Sequence, residues 1–327
     1  LPNLAVIARS SVFRYKGREV DPQTVGRELG VRSILTGRIT QRGDNLIIST
    51  ELVDVTNNHR IWGNQYDRKL TDIIAVQSDL SREISRQLRL TLTGDEQKRV
   101  TRHYTENTAA YQSYLKGRYY WNKRTGEDIK RSIQHFEQAV AEDPSYALAY
   151  AGLADCYLVI PNYTNIPSQE AYLKAKQMAL KALELDDSLA EAHGSLGGIK
   201  VDYEWDFPGA ESELKRAIEL NPNYATAHHW YALYLLITGR RDESVREITK
   251  AAEIDPLSLI IGSVSSVFRY GEDFAQAENL LRKTLQLDPT FAYGHGMLAK
   301  SLFLQNRHSE AIAEAREAVR LSSNDSR

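Results

Sequence analysis

Two hydrophobic rhythms divide the 327 residues. Up to about residue 105, apolar positions come in short runs and alternations. Beyond it they recur every three or four residues, which lines them up on one face of a helix. Leu4–Ala8 is an unbroken apolar run and reads as a short buried strand. Asp21-Pro22 then marks a helix start, because Asp accepts from the orphan amides of a first turn and Pro has no amide to satisfy there. Val25 and Leu29 face one side of that helix, and Gly30 can close it in the left-handed conformation. Val31–Tyr66 predicts three antiparallel strands, Ser33–Gln41, Leu46–Val55 and Arg60–Tyr66. The turns between them, Arg42–Asn45 and Thr56–Asn58, are built from residues that tolerate tight dihedrals. Leu46, Ile48, Thr50 and Leu52 share one face because side chains alternate along a strand, and Trp62 and Tyr66 point to the same side. Thr71 is placed to cap a helix whose apolar stripe is Ile73, Val76, Leu80, Ile84 and Leu88.

The second rhythm repeats. Asp143-Pro144, Asn221-Pro222, Asp255-Pro256 and Asp288-Pro289 each follow an Ala-rich amphipathic segment, and Asp186-Asp187 and Ser322-Ser323 hold equivalent places. Successive intervals are 43, 35, 34, 33 and 34 residues. A period near 34 is that of the tetratricopeptide repeat, two antiparallel helices per unit, and residues 110–323 resemble that family. The slots agree: Tyr150, Leu153, Ala154 and Tyr157 precede Ala175, Ala179 and Ala182. His228, Tyr231, Ala232, Leu235 and Gly239 precede Ser244, Ile248 and Ala251. His295, Leu298, Ala299 and Leu302 precede Ala311, Ala315 and Ala318. The first repeat, with Tyr111, Tyr114, Leu115, Phe136 and Ala139, leaves its first-helix register open. The long interval reflects an insertion around Ile160–Gln169, either a lengthened turn or a partner-contacting loop.

Gly26–Val31, Ile34–Ile39, Ile61–Arg68 and Ile73–Gln77 resemble the TolB amino-terminal-like domain over residues 3–92. That family accompanies tetratricopeptide arrays in bacterial membrane signalling proteins, whose carriers include adenylate cyclases, Ser/Thr kinases and winged-helix regulators. It usually opens with a further strand and helix, which implies an unpaired sheet edge here. The resemblance also implies a weak preference for the extracytoplasmic, periplasmic side of an inner membrane. The chain opens on Leu1 in mid-domain sequence and is expected to be a piece of something longer. The expected architecture is a small α/β domain with its linking helix over 1–105, then an all-α solenoid of about six repeats over 106–327.

Composition narrows the function. With 41 Lys+Arg against 43 Asp+Glu the formal charge is −2, unlike the basic footprint of a nucleic-acid binder. Residues 1–105 hold 17 basic and 12 acidic residues, a surplus that reads as solvated surface or as a weak electrostatic contact. The single cysteine, Cys156, excludes an intrachain disulfide and a Cys-based zinc site, and its helical slot suits a small buried residue. No phosphate loop, Gly-x-Gly-x-x-Gly or His-Glu-x-x-His is present, and no nucleophile has a recognisable base. No catalytic, metal or cofactor residue is therefore assigned, and no enzyme is expected. His193, His228 and His295 fall in packing slots; structural burial is favoured over proton sensing or metal binding. The acidic pairs Asp186-Asp187 and Asp242-Glu243 read as caps and solvated charge.

What remains is the concave surface that solenoids offer to extended partners. The family pattern lines this groove with first-helix residues. By register these include Asp155, His229, Leu233, Arg269, Tyr270, Lys300 and Phe303. They imply a largely apolar groove with isolated Arg269 and Lys300, suited to an amphipathic or extended peptide. The expected function is a non-catalytic protein- or peptide-binding regulatory module of a bacterial signalling protein. The alternative is a self-association or assembly scaffold with no ligand. Membrane attachment is expected only through a segment outside this sequence, and nucleic-acid binding by this fragment is not expected.

Overall fold

The structure is a computed structural model that describes residues 6, 7, 9–12, 15, 17, 20–87, 104–123, 125–255, 273–287 and 289–324. Contacts divide the chain into two units, residues 15–112 with 1–4, and residues 113–327 with 5–14.

In the first unit, helix α1 (Pro22–Leu29) starts as the sequence predicts. The Asp21 side chain accepts from the Thr24 amide at 3.0 Å, and Gly30 ends the helix at φ 66°. Three strands follow in the order β1-β2-β3: β1 (Ser33–Arg42), β2 (Asn45–Asp54) and β3 (His59–Lys69), both pairings antiparallel. Leu46, Ile48, Thr50 and Leu52 are all buried, as alternation requires. Helix α2 (Ile73–Gln87) covers this face, packing Val76 with Ile73 and Leu80 onto Leu46, Ile48 and Tyr66. Its start differs from expectation. Leu70–Asp72 forms a 3₁₀ turn, so Thr71 lies within that turn, its hydroxyl on Asp72. Of the predicted strand Leu4–Ala8, only Val6 and Ile7 are described; neither is in a strand, and Val6 is exposed. Leu88 lies outside the described residues. Burial stops short of β1. Leu35 and Ile39 stand opposite Leu52 and Ile48 on the covered face, yet are 46% and 64% exposed.

The second unit is a stack of helical hairpins. The first repeat pairs α3 (Thr108–Trp121) with α4 (Gly126–Glu142), the second α5 (Ala147–Val159) with α6 (Ser168–Leu185) and the third α7 (Ala190–Ile199) with α8 (Phe207–Leu220). The fourth pairs α9 (Ala225–Ile237) with α10 (Arg241–Ile254). The fifth is described through its second helix, α11 (Phe274–Leu287), and the sixth pairs α12 (Ala292–Leu304) with α13 (His308–Asn324). Ala139, Ala175, Ala179, Ala182, Ala210 and Ala217 are fully buried on second helices, where their lack of bulk lets neighbouring helices close up. Phe136, also fully buried, fills the space left by Gly152, where an added Cβ would fall 2.6 Å from its ring. Two expected packing residues miss their slots: Ala315 is exposed and Ala318 only half-buried, because no described element covers that face of α13. The insertion is a packed turn. Ile160 is fully buried in a 3₁₀ segment, and Tyr163 and Ile166 rest on the core of the first two repeats.

Polar ties join one repeat to the next. Arg240, in the turn of the fourth repeat, reaches Glu211 on α8 at 2.7 Å and Glu243 on its own helix at 2.6 Å. Tyr231 and Tyr234 both donate to Glu211, whose carboxyl is pulled down to about 2 by Lys215 and Arg240. Arg307 repeats this in the sixth repeat, on Glu278 of α11 at 2.5 Å and Glu310 at 2.7 Å.

Leu235 is fully buried between repeats. Leu235→Ala is expected to lower stability by about 2–5 kcal/mol in denaturant titration. Gly152→Ala is expected to lower the melting temperature as well, because the new methyl must displace Phe136.

Candidate functional site on the first-helix face

Helices α5, α7 and α9 lie side by side, so the first helices of the second, third and fourth repeats form one face. Glycine on α7 permits this. A Cβ at Gly198 would meet Leu158 at 2.8 Å, and one at Gly194 would meet the Tyr224 ring at 3.2 Å with Trp230 beyond it. Tyr224 and Trp230 of the fourth repeat thus lie over the third.

Beneath them sits a charged cluster drawn from four repeats. Asp155 on α5 is 1% exposed. The Ser195 hydroxyl on α7 donates to its Oδ1 at 2.6 Å, and Arg118 Nη1 on α3 lies 3.5 Å from its Oδ2. Burial works against the charge of Arg118, but Tyr114, Asp155, Tyr224 and Glu191 together hold it above the usual guanidinium range. Burial also pushes the Glu191 carboxyl up, opposed by a backbone amide and by Arg118. The Tyr224 hydroxyl is raised well above its ordinary value, first by burial and then by Asp155 and Glu191. A buried ion pair of this kind registers repeats against one another.

The sequence-predicted residues separate into three groups. Asp155 belongs to the buried cluster, His229 is 7% exposed, and Leu233 is half-buried against Ala232 and Ile248. Lys300 and Phe303 are exposed, one turn apart on α12, with Phe303 60% exposed and its ring against His308. Arg269 and Tyr270 lie outside the described residues. The expectation of an apolar groove with isolated cations does not hold over the first three repeats, where the face carries Arg118, Asp155 and Glu191. Sequence reasoning missed Arg118, Glu191, Ser195 and Tyr224. A signal existed for Arg118. Had the register of α3 been set on Gly117, which closes onto Phe136, Arg118 would have taken the slot that Asp155 takes one repeat later. The insertion also reaches this face, with the Tyr163 ring 6.3 Å from that of Tyr293 on α12.

The histidines have a structural part. Nδ1 of His193, His228 and His295 lies 2.7, 2.6 and 2.6 Å from Glu213, Glu247 and Glu314 on the second helix of the same repeat. Each Nε2 lies near the backbone carbonyl of the residue six positions earlier, Asp187, Pro222 or Pro289. Each imidazole thereby fixes the entering turn to both helices of its hairpin. For His193, burial opposes protonation, but the Glu213 carboxylate and the Asp187 carbonyl outweigh it and raise the imidazole pKa. Cys156 is fully buried, its Sγ 3.3 Å from Ser132 Oγ. Among the described residues no group of three or more His, Cys, Asp or Glu side chains is arranged to hold a metal ion.

Comparison with known proteins bears on the same repeats. The tetratricopeptide repeat family model matches residues 114–165, 206–258 and 266–326, just over half of the chain. The putative adenylate cyclase 3 of Rhizobium meliloti (strain 1021) is 32% identical over 197 residues, covering 59% of this chain and 33% of that protein. The transcriptional regulator HilA of Salmonella typhimurium is 30% identical over 149 residues, covering 46% of this chain and 27% of HilA. The chain therefore spans a third or less of the length of these curated relatives. Among solved structures, a thermophilic repeat protein of Thermus thermophilus is 18% identical, with a TM-score of 0.49, over 60% of this chain and 100% of that one.

Two outcomes follow from the cluster and the clamps. Arg118→Ala leaves Asp155 buried without its cation and is expected to cost about 3 kcal/mol, the lower end for such a loss because Arg118 keeps a quarter of its side chain exposed. The double change Arg118→Met, Asp155→Leu is expected to recover most of that. The raised His193 pKa means that its contribution is complete below the ordinary imidazole range and lost as pH rises through the folded-state value. His193→Ala is therefore expected to lower the melting temperature more at pH 6 than at pH 9.

Proposed function

Because the chain belongs to the tetratricopeptide repeat family, we propose that it is a regulatory module of a bacterial signalling protein that binds a protein or peptide segment along its first-helix face. The array is a non-catalytic protein-interaction scaffold. The observation that carries the regulatory reading is that this chain matches parts of two bacterial proteins whose names differ in output, one a putative adenylate cyclase and one a transcriptional regulator. A module shared in this way supplies recognition, while the output lies elsewhere in each chain. The TolB amino-terminal-like resemblance of residues 3–92 agrees with this setting, since that family precedes repeat arrays in such proteins. Attachment to a membrane would then come from other parts of a longer protein; no helix of the described residues is long and apolar enough to cross one.

On the first-helix face, the accessible stretch among the described residues is α12. Lys300 and Phe303 combine a fixed positive charge with an open aromatic surface, and Tyr293 adds a second ring at the other end of the helix. Arg269 and Tyr270 extend the set by register. Over the first three repeats the same face is occupied by Tyr224, Trp230 and the charged cluster, so recognition centres on the later repeats. A partner segment with acidic and apolar residues suits this chemistry. Self-association is a second reading, favoured by Leu35 and Ile39 on β1, which are exposed on the otherwise covered sheet face. It predicts a concentration-dependent mass in sedimentation of the full chain.

For the partner-binding reading, a partner recovered from native lysate on the full chain is titrated against variants. Phe303→Ala and Arg269→Ala are each expected to weaken binding by about 1–3 kcal/mol with circular dichroism unchanged. Full affinity in both variants would remove the first-helix face from consideration.

A further inference from the structure

The turns between first and second helices can be compared in three repeats. In the fourth, Gly239 takes the left-handed conformation (φ 77°) just before Arg240, which stands ahead of α10. In the sixth, Asn306 does so (φ 61°) just before Arg307 and α13. In the third, the left-handed residue is Trp205 (φ 59°), directly before Asp206, which caps α8 through the Gly209 amide. Glycine reaches this region freely and asparagine with little strain, but a bulky side chain does not. Packing does not account for the choice. Trp205 is 73% exposed, and its ring meets Phe207 only edge-on, with centroids 6.4 Å apart. The turn keeps an indole at a backbone position that disfavours it, and presents that indole to solvent.

The surroundings supply a charge. Lys200–Glu204 forms a π-helical turn, a local widening often found at functional positions. Glu204 pairs with Lys176, and Asp206 pairs with Lys200 at 3.1 Å. Among the described residues, Asp202 makes no hydrogen bond or ion pair, and its surface is exposed. Although the residue as a whole is exposed, partial burial of its carboxyl pushes that group up to about 6, which leaves it mostly ionised at neutral pH. One uncompensated negative charge thus lies three residues before an open indole. Beyond the indole, Phe207 and Tyr234 continue an aromatic row, with centroids 6.5 Å apart.

We propose that the Trp205 turn is a docking surface for a basic segment of a partner protein, with an arginine or lysine of that segment laid over the indole and the charge of Asp202, in the adjoining π-helical turn, favouring positive residues. A cation over an indole face is the strongest of the side-chain cation–π contacts, and an unpaired carboxylate three residues away in the chain adds a preference for positive charge. The proposal rests on the array being a protein-interaction module. It does not rest on the first-helix face, because the residues differ and the preferred charge is the opposite of that for Lys300 and Phe303.

The test uses the full chain and two synthetic peptides, one alternating arginine with leucine, the other glutamate with leucine. The readout is the indole N–H resonance of Trp205, assigned from Trp205→Phe, with affinities confirmed by calorimetry. The basic peptide is expected to shift that resonance saturably and the acidic peptide to leave it in place. Trp205→Gly is expected to weaken the basic peptide by about tenfold while melting at the same or a higher temperature, since the backbone strain is relieved. Asp202→Asn is expected to weaken it several-fold, and Phe303→Ala to leave it unchanged. Equal response to both peptides, or full affinity in Trp205→Gly, would overturn the proposal. So would a large loss of stability in both Trp205→Gly and Trp205→Asn, since the indole would then be kept for packing. If Phe303→Ala alone weakens the basic peptide, binding lies on the first-helix face and the Trp205 assignment fails by itself.

Discussion

The array depends on how closely one helix can approach the next. Alanine at helical spacing on the second helices, as at Ala175, Ala179 and Ala182, removes the bulk that would keep hairpins apart, and all three are fully buried. Large residues then settle the remaining space, as Phe136 does against Gly152, and Leu214 does beneath Tyr231 and Leu235. A hairpin of this kind cannot bury its own apolar faces. Its stability is a property of the neighbour interface, which is why Ala315, Ile312 and Val319 on α13 stay exposed where no described helix covers them.

Apolar packing alone would leave successive hairpins free to slide, because alanine faces are much alike. The polar ties remove that freedom. Arg240 and Arg307 each hold the preceding repeat through one carboxylate and their own helix through another. The three His–Glu clamps act inside a repeat and fix the turn that leads into it. Arg118, Asp155 and Ser195 do for the first three repeats what the arginine ties do later, but in a buried setting, where one misplaced charge is costly. These groups serve the scaffold. The open side chains of α12 and of the Trp205 turn are ones the scaffold does not consume.

This division shows where sequence and structure part. The repeat period, the alanine slots before the last helix, the Asp21 cap, the Gly30 stop and the buried face of β2 were legible, because each follows from local spacing and from what one residue type does to its own backbone. The tetratricopeptide resemblance pointed to the right class of architecture for the same reason. The candidate site was legible only as a list of register positions. The chain by itself could place Asp155 and Phe303 on first helices, but not tell which was open.

What decided that was packing between residues distant in sequence. Asp155 is buried because Arg118 and Ser195, one repeat before and one after, converge on it; Phe303 meets His308 at one side and is otherwise left open by the described residues. Trp205 makes the same point through the backbone. As a letter in the sequence it carries no sign of this. Only the folded turn shows it standing where Gly239 and Asn306 stand in other repeats, left-handed and facing solvent. The sequence by itself determined the helices, the strands and their repetition, because these answer to neighbours along the chain. Tertiary structure decided which of the resulting side chains spend their chemistry on one another and which stay open to solvent, because burial depends on the whole surrounding surface.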